Sequence, residues 1–288
     1  MPSKELKWSL LLALALIWGS SFILIKKGLV GLSPYQLGSL RIIFTAIFLL
    51  LIGFKSLTEI KQYQWKYIAI TALFGTFLPA FLFAIAETKV SSSICSILNS
   101  LTPLNTLLIG IIAFGMAFKR SQFVGVIIGL MGTALLIFSG KEQGSSENYT
   151  YAVLVIIASI CYALNVNLIK KYLSDVKPLS ITTGNFTVML VPALIVLFST
   201  NFTEIVGAPT TQHSMLFIMI LGIVGTGIAN VLFFKLIQIS SPVFASSVTY
   251  LIPIVAFFWG LLDHEMLTPL QFVGAFIILV GVYLANKK

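Results

Sequence analysis

Charge is scarce in this chain. Of its 288 residues only 9% are Asp, Glu, Lys or Arg, where soluble domains carry roughly 25%. Nine residues are acidic, two are histidine and two are cysteine. Cys95 and Cys161 each lie inside an apolar run, which excludes a disulfide framework and reads as two small buried residues. No His/Cys/Asp/Glu cluster has metal-ligand spacing, so no metal or cofactor is implied. His213 and His264 fall between apolar runs, and no nucleophile shares a depth with a base, which leaves no catalytic constellation and argues against an enzyme. The longest polar stretches, 140–150 and 199–214, are too short for a soluble domain. The formal charge of +9 does not point to nucleic acid, because the basic residues sit between apolar runs rather than in one patch.

What the chain has in abundance is apolar sequence, 58% by count, with a mean hydropathy of +1.03. About 20 apolar residues cross a hydrocarbon core. On that ruler ten spans are expected: 8–25, 35–54, 67–86, 92–117, 122–139, 151–169, 179–198, 215–236, 242–262 and 270–285. The first run follows Lys4 and Lys7, lacks a small-residue cleavage site, and reads as a retained helix rather than a signal peptide. The expected fold is therefore an all-α integral membrane protein of ten transmembrane helices.

The chain also writes itself twice. SSSICSILNSLTPLNTLLIG (91–110) returns 150 residues later as SPVFASSVTYLIPIVAFFWG (241–260), with Pro103 on Pro253 and Gly110 on Gly260. At an offset of 144, LIKK (24–27) returns as LIKK (168–171), and Trp18 meets Tyr162. Gly75-Thr76 returns as Gly225-Thr226, and QFVG (122–125) as QFVG (271–274). The expected division is a first five-helix repeat over 1–140, an outer linker over 141–150 and a second repeat over 151–288. Five is odd, so the second repeat must enter the membrane from the opposite side, an architecture recurrent in secondary transporters.

The basic residues give the orientation. With both termini cytoplasmic, the inner side holds Lys4, Lys7, Lys55, Lys61, Lys66, Lys119, Arg120, Lys170, Lys171, Lys177, Lys235, Lys287 and Lys288. The outer side holds Lys26, Lys27, Lys89 and Lys141, a clear positive-inside bias.

Polar residues at helical spacing mark candidate functional positions. Cys95, Asn99, Thr102 and Thr106 share a face of span four, and Thr249 with Tyr250 answers them in span nine. Trp18 and Ser21 in span one pair with Tyr162 and Asn165 in span six. Thr76 and Phe83 in span three pair with Thr226, Asn230 and Phe233 in span eight. Any one of these could be interhelical glue worth about 0.6 kcal/mol; as a set they point to a central substrate pathway. Pro103 and Pro253 are expected to kink spans four and nine, since a mid-helix proline removes one backbone hydrogen bond. Arg41 is the only basic residue in the interior of a span, Lys235 lying at the inner end of span eight. An intramembrane charge suggests function, but a long side chain also snorkels, and snorkelling or a helix-end contact is the expectation here. Glu87, Asp263 and Glu265 read as solvated charges at helix ends, with a charge role at Glu87, as at Arg41, kept as the alternative. Gly110, Gly125, Gly129, Gly132, Gly260, Gly274 and Gly281 suggest close helix packing; association into a homo-oligomer stays open.

WGSSF at 18–22, the P-x6-R from Pro34 to Arg41, the proline spans, and the paired tails QFVGVIIGLMG (122–132) and HEMLTPLQFVGAFIILVG (264–281) carry a resemblance over essentially the whole chain. The sequence resembles the drug/metabolite transporter superfamily, of the EamA type. Glu265 matches the family's acidic residue, which the first repeat lacks. The resemblance implies two inverted five-helix repeats around a cavity lined by spans one, three, four, six, eight and nine. It also implies export or exchange of small metabolites, such as amino acids and related compounds, across a bacterial cytoplasmic membrane. The expected partners are a small-molecule substrate and the lipid bilayer. The absence of a mid-span carboxylate favours a neutral or zwitterionic solute over a cation, moved by alternating access. The alternatives are a low-specificity drug or amphiphile exporter and a lipid translocator.

Overall fold

A backbone in hydrocarbon must satisfy its own hydrogen bonds, and a chain of apolar runs does so by forming helices. The computed structural model describes residues 4–90, 92–117, 119–138, 149–262 and 269–286, and every long element among them is helical. In order these are α1 (Lys4–Gly19), α2 (Ser21–Gly28), α3 (Pro34–Gly53), α4 (Trp65–Ala72), α5 (Leu78–Ala86), α6 (Ser92–Asn99), α7 (Thr102–Ile112) and α8 (Arg120–Phe138). There follow α9 (Ala152–Tyr172), α10 (Pro178–Phe198), the short α11 (Phe202–Ile205), α12 (Pro209–Ile220), α13 (Ala229–Ile239), α14 (Pro242–Ser246), α15 (Val248–Leu262) and α16 (Pro269–Asn286).

Six helical stretches are long and apolar enough to cross a membrane: Lys4–Gly28, Pro34–Glu59, Gln62–Ala86, Ala152–Tyr172, Pro178–Phe198 and Pro209–Ile239. Shorter apolar helices cover Thr102–Ile112, Arg120–Gly132, Pro242–Val255 and Phe272–Leu284. The chain is a multi-pass membrane protein. Most of the expected linker, and with it Lys141, falls outside the described residues, as do Ser91, Asp263, His264 and Glu265.

Several long helices are interrupted at specific places. Leu73–Phe77, between α4 and α5, and Leu221–Ile228, between α12 and α13, are π-helical. Each contains one copy of the Gly-Thr pair. The α6–α7 run breaks at Ser100–Leu101, so Pro103 stands in the first turn of α7, where its missing N–H costs nothing. The α14–α15 run breaks at Ser247, while Pro253 lies inside α15. The two matched prolines thus take different positions relative to the break.

The packing is reciprocal. α3 lies along α10 and α8 along α16; α1 packs on α13 and α15, and α9 on α5 and α7. Glycine permits the closest of these approaches. A Cβ on Gly281 would stand 2.6 Å from the Cα of Gly129 and 2.8 Å from the carbonyl oxygen of Gly125. A Cβ on Gly132 would stand 3.0 Å from the carbonyl oxygen of Gly274. The Gly125/Gly129 motif is therefore occupied by α16 of the same chain.

Candidate functional site

The entry of α3 is tightly specified. Ser33 Oγ accepts from the Gln36 backbone N–H at 3.3 Å while Gln36 Oε1 accepts from the Ser33 N–H at 2.8 Å, a capping box, with Pro34 at the first helical position. Two turns on, this helix delivers Arg41 to a central cavity of about 100 Å³. That is room for several water molecules, at about 15 Å³ each on this measure.

The cavity draws on both parts of the chain. Trp18 on α1 and Ser21 on α2 line it, as do Thr76 in the first π segment and Asn99 and Thr102 at the α6–α7 break. From beyond the linker come Tyr162 and Asn165 on α9, Thr226 in the second π segment, Asn230 on α13 and Thr249 on α15. Phe83 and Phe233 line it as well, so of the fifteen residues that the sequence set on this pathway all but Cys95, Thr106 and Tyr250 do.

Tyr250 is the correction. It is fully buried, its hydroxyl donates to the Val126 carbonyl at 2.8 Å, and its ring lies over Gly129, so it braces α15 against α8 and does not line the cavity. The span-four face divides for a related reason. The break after Asn99 ends the helical period, so Asn99 and Thr102 line the cavity. Cys95 is instead buried in a core with Phe83 and Val155, and Thr106 bonds the Thr102 carbonyl at 2.7 Å.

Arg41 is the second correction. Rather than snorkelling outward it lines the cavity, and its Nε donates to Thr226 Oγ1 at 2.7 Å. Thr226 in turn donates to the Leu221 carbonyl at 3.0 Å, a bond five residues back that follows the π geometry. Thr45 Oγ1 lies 2.7 Å from both the Arg41 and the Gly222 carbonyl oxygens, seating α3 against that segment. Glu87, which caps the C-terminal end of α5, is half-buried. The solvated reading of Glu87 is thus only partly right.

Aromatic side chains form much of the remaining wall. Trp18 Nε1 donates to the Gly225 carbonyl at 3.0 Å, and its ring meets Phe233 edge-on at 4.9 Å. Phe83 lies between Phe22, at 6.4 Å, and Tyr162, at 6.1 Å. Gly75 lets the Asn165 amide lie against the first π segment, where a Cβ would overlap it. At Gly225, the repeat counterpart, a Cβ would stand 3.0 Å from Ser21 Oγ. Ser246, Phe22, Ile42 and Ile252 also line the cavity and were not expected. The doubled Ser96/Ser246 match was the one available signal for Ser246, while the apolar three are indistinguishable in sequence from lipid-facing positions.

A multi-pass helical protein with a polar, aromatic-walled cavity at the meeting of interrupted helices belongs, by fold and site, among membrane transporters. The comparisons agree. The EamA-like transporter family matches residues 6–138 and again 150–287, and the chain belongs to that family, within the drug/metabolite transporter superfamily. The inner membrane transporter YedA of Escherichia coli K12, itself uncharacterized, is 28% identical over 96% of this chain and 89% of its own length. A probable amino-acid metabolite efflux pump of the same organism is 25% identical, covering 96% of this chain and 93% of that protein. An S-adenosylmethionine/S-adenosylhomocysteine transporter of Chlamydia muridarum is also 25% identical, over 92% and 87%. One solved crystal structure has the same fold, with a TM-score of 0.75 at 15% identity over 99% of this chain and 97% of that one.

Proposed function

We propose that this transporter carries a small organic metabolite, an amino acid or related compound, across the cytoplasmic membrane by alternating access, in export or exchange. Its halves, 1–140 and 151–288, act as inverted five-helix repeats making ten spans, with both termini cytoplasmic. The observation that carries the reading is the cavity itself, to which the halves contribute equivalent positions: Ser21 and Asn165, Thr76 and Thr226, Thr102 and Ile252. The reciprocal packing supports the same relation, since α1 meets α13 and α15 as α9 meets α5 and α7. Rocking one half against the other would then expose one fixed site to each side in turn. Trp18 and Tyr162 supply apolar surface, and Asn99, Asn165 and Asn230 orient polar groups of the solute. The relative that is named as an amino-acid metabolite efflux pump fits this substrate class.

The test is counterflow in proteoliposomes with labelled amino acids and related metabolites, with and without a pH gradient. Saturable exchange of one solute class, lost in the double variant Asn99→Ala/Asn165→Ala, is the expected result. Normal exchange by that variant would remove these residues from the pathway. Competition by unrelated amphiphiles would favour a broad drug exporter, and movement of a fluorescent lipid a translocator.

A further inference from the structure

The solute's chemistry can be narrowed from Arg41. Among the described residues, its side chain is the only charged one lining the cavity. A guanidinium offers five N–H donors in a planar fork. The Nε–H is committed to Thr226 Oγ1 at 2.7 Å, which holds the side chain in the cavity from its inner edge. Among the described residues, no hydrogen bond or ion pair engages the outer edge, where Nη1 and Nη2 stand side by side. A paired edge of N–H donors, held by a bond at the opposite nitrogen, matches the two oxygens of a carboxylate. A cation away from water is costly unless a counter-charge meets it, and a solute anion would supply one.

We propose that Arg41 is the anchor for a carboxylate on the transported solute, so that the substrates are small monocarboxylates, amino-acid zwitterions included; this rests on the cavity being the transport site. The same geometry selects against phosphate. One guanidinium balances one negative charge, so a phosphate dianion would bring uncompensated charge into a confined space. The body of the acid lies against Trp18, Phe83 and Tyr162, whose rings supply apolar area without a second charge.

The test uses the whole purified protein and needs no variant at its first step. Amino acids and short monocarboxylates, each beside its own carboxamide, and inorganic phosphate are compared by ligand-induced thermal stabilisation and by counterflow. An acid should bind about tenfold or more tightly than its carboxamide, as expected for hydrogen bonds to a charged group. Arg41→Gln should abolish that preference, and Arg41→Lys should restore it only in part. Equal binding of acids and carboxamides, tightest binding of phosphate, or no binding by any acid would overturn the proposal. Acid-selective binding without counterflow would sustain Arg41 as the anchor and defeat the transport reading. Counterflow of acids and carboxamides alike would do the reverse.

Discussion

Tyr162 and Tyr250 arise from the same kind of evidence in sequence, an aromatic residue at a repeat-matched polar face, yet their hydroxyls have different surroundings. Tyr250 donates to the Val126 carbonyl, so Tyr250→Phe removes one buried hydrogen bond. The variant should lose about 1 kcal/mol of stability, read as a lower unfolding midpoint, with the KM for counterflow unchanged; a raised KM at normal stability would place Tyr250 on the pathway after all. Tyr162→Ala should behave in the opposite way, raising KM, because that ring forms a cavity wall. Gly75→Ala tests a closer fit. Its methyl group would displace the Asn165 amide, and overpacking of this kind costs about 1–3 kcal/mol. Reduced stability together with weakened solute competition is expected, and wild-type behaviour in both would show that the amide yields without consequence. Polar and aromatic residues were legible because they are unusual in an apolar helix. Which way Arg41 turns was not, since a long side chain in a helix reaches either outward or inward, and only the position of Thr226 on another helix decides it.

At the scale of elements, the two π segments do what a regular α-helix would not. A π turn widens the helix by one residue, which lets Thr226 bond the Leu221 carbonyl and face Arg41 together. Deleting Ile223 should restore α-helical spacing while the following helix keeps its register, because the π turn holds one extra residue. The widened turn that presents Thr226 to Arg41 would then close. The expected outcome is a protein that inserts and keeps its helical circular dichroism but shows no counterflow; retained counterflow would mean that the π geometry is dispensable. The Gly-Thr pair was visible in sequence as a repeat, but its π geometry was not, because the same residues are compatible with an ordinary helix. Proline misled in a similar way. Pro103 and Pro253 are equivalent in sequence, yet the chain breaks just before the first and six residues before the second.

For the whole molecule, the proposed orientation rests on the Lys and Arg distribution and can be checked directly. In a variant carrying Cys95→Ala and Cys161→Ala, a single Thr58→Cys should resist a membrane-impermeant thiol reagent applied to intact cells. A single Glu204→Cys should react with it. Reversed labelling would invert the proposed topology, and labelling of both would contradict the proposed five spans per half. At this scale the ion pairs of Lys61 with Asp175 and Lys177 with Glu59 join segments far apart in sequence. Their side chains are largely exposed, so they contribute little to stability.

By itself the sequence determined that this is a helical membrane protein, because apolar length and the scarcity of charge leave few other states in lipid. It also identified the doubled polar positions, since a duplication keeps residue types in register even where its surroundings are uniformly apolar. The tertiary structure decided what those positions meet. Arg41 and Thr226 are 185 residues apart, Gly281 and Gly129 press together across two helices, and Tyr250 leaves the cavity for α8. Those outcomes depend on crossing geometry, on where helices break and on which small residue permits an approach. Each is a relation between distant residues, and periodicity along one helix cannot encode it.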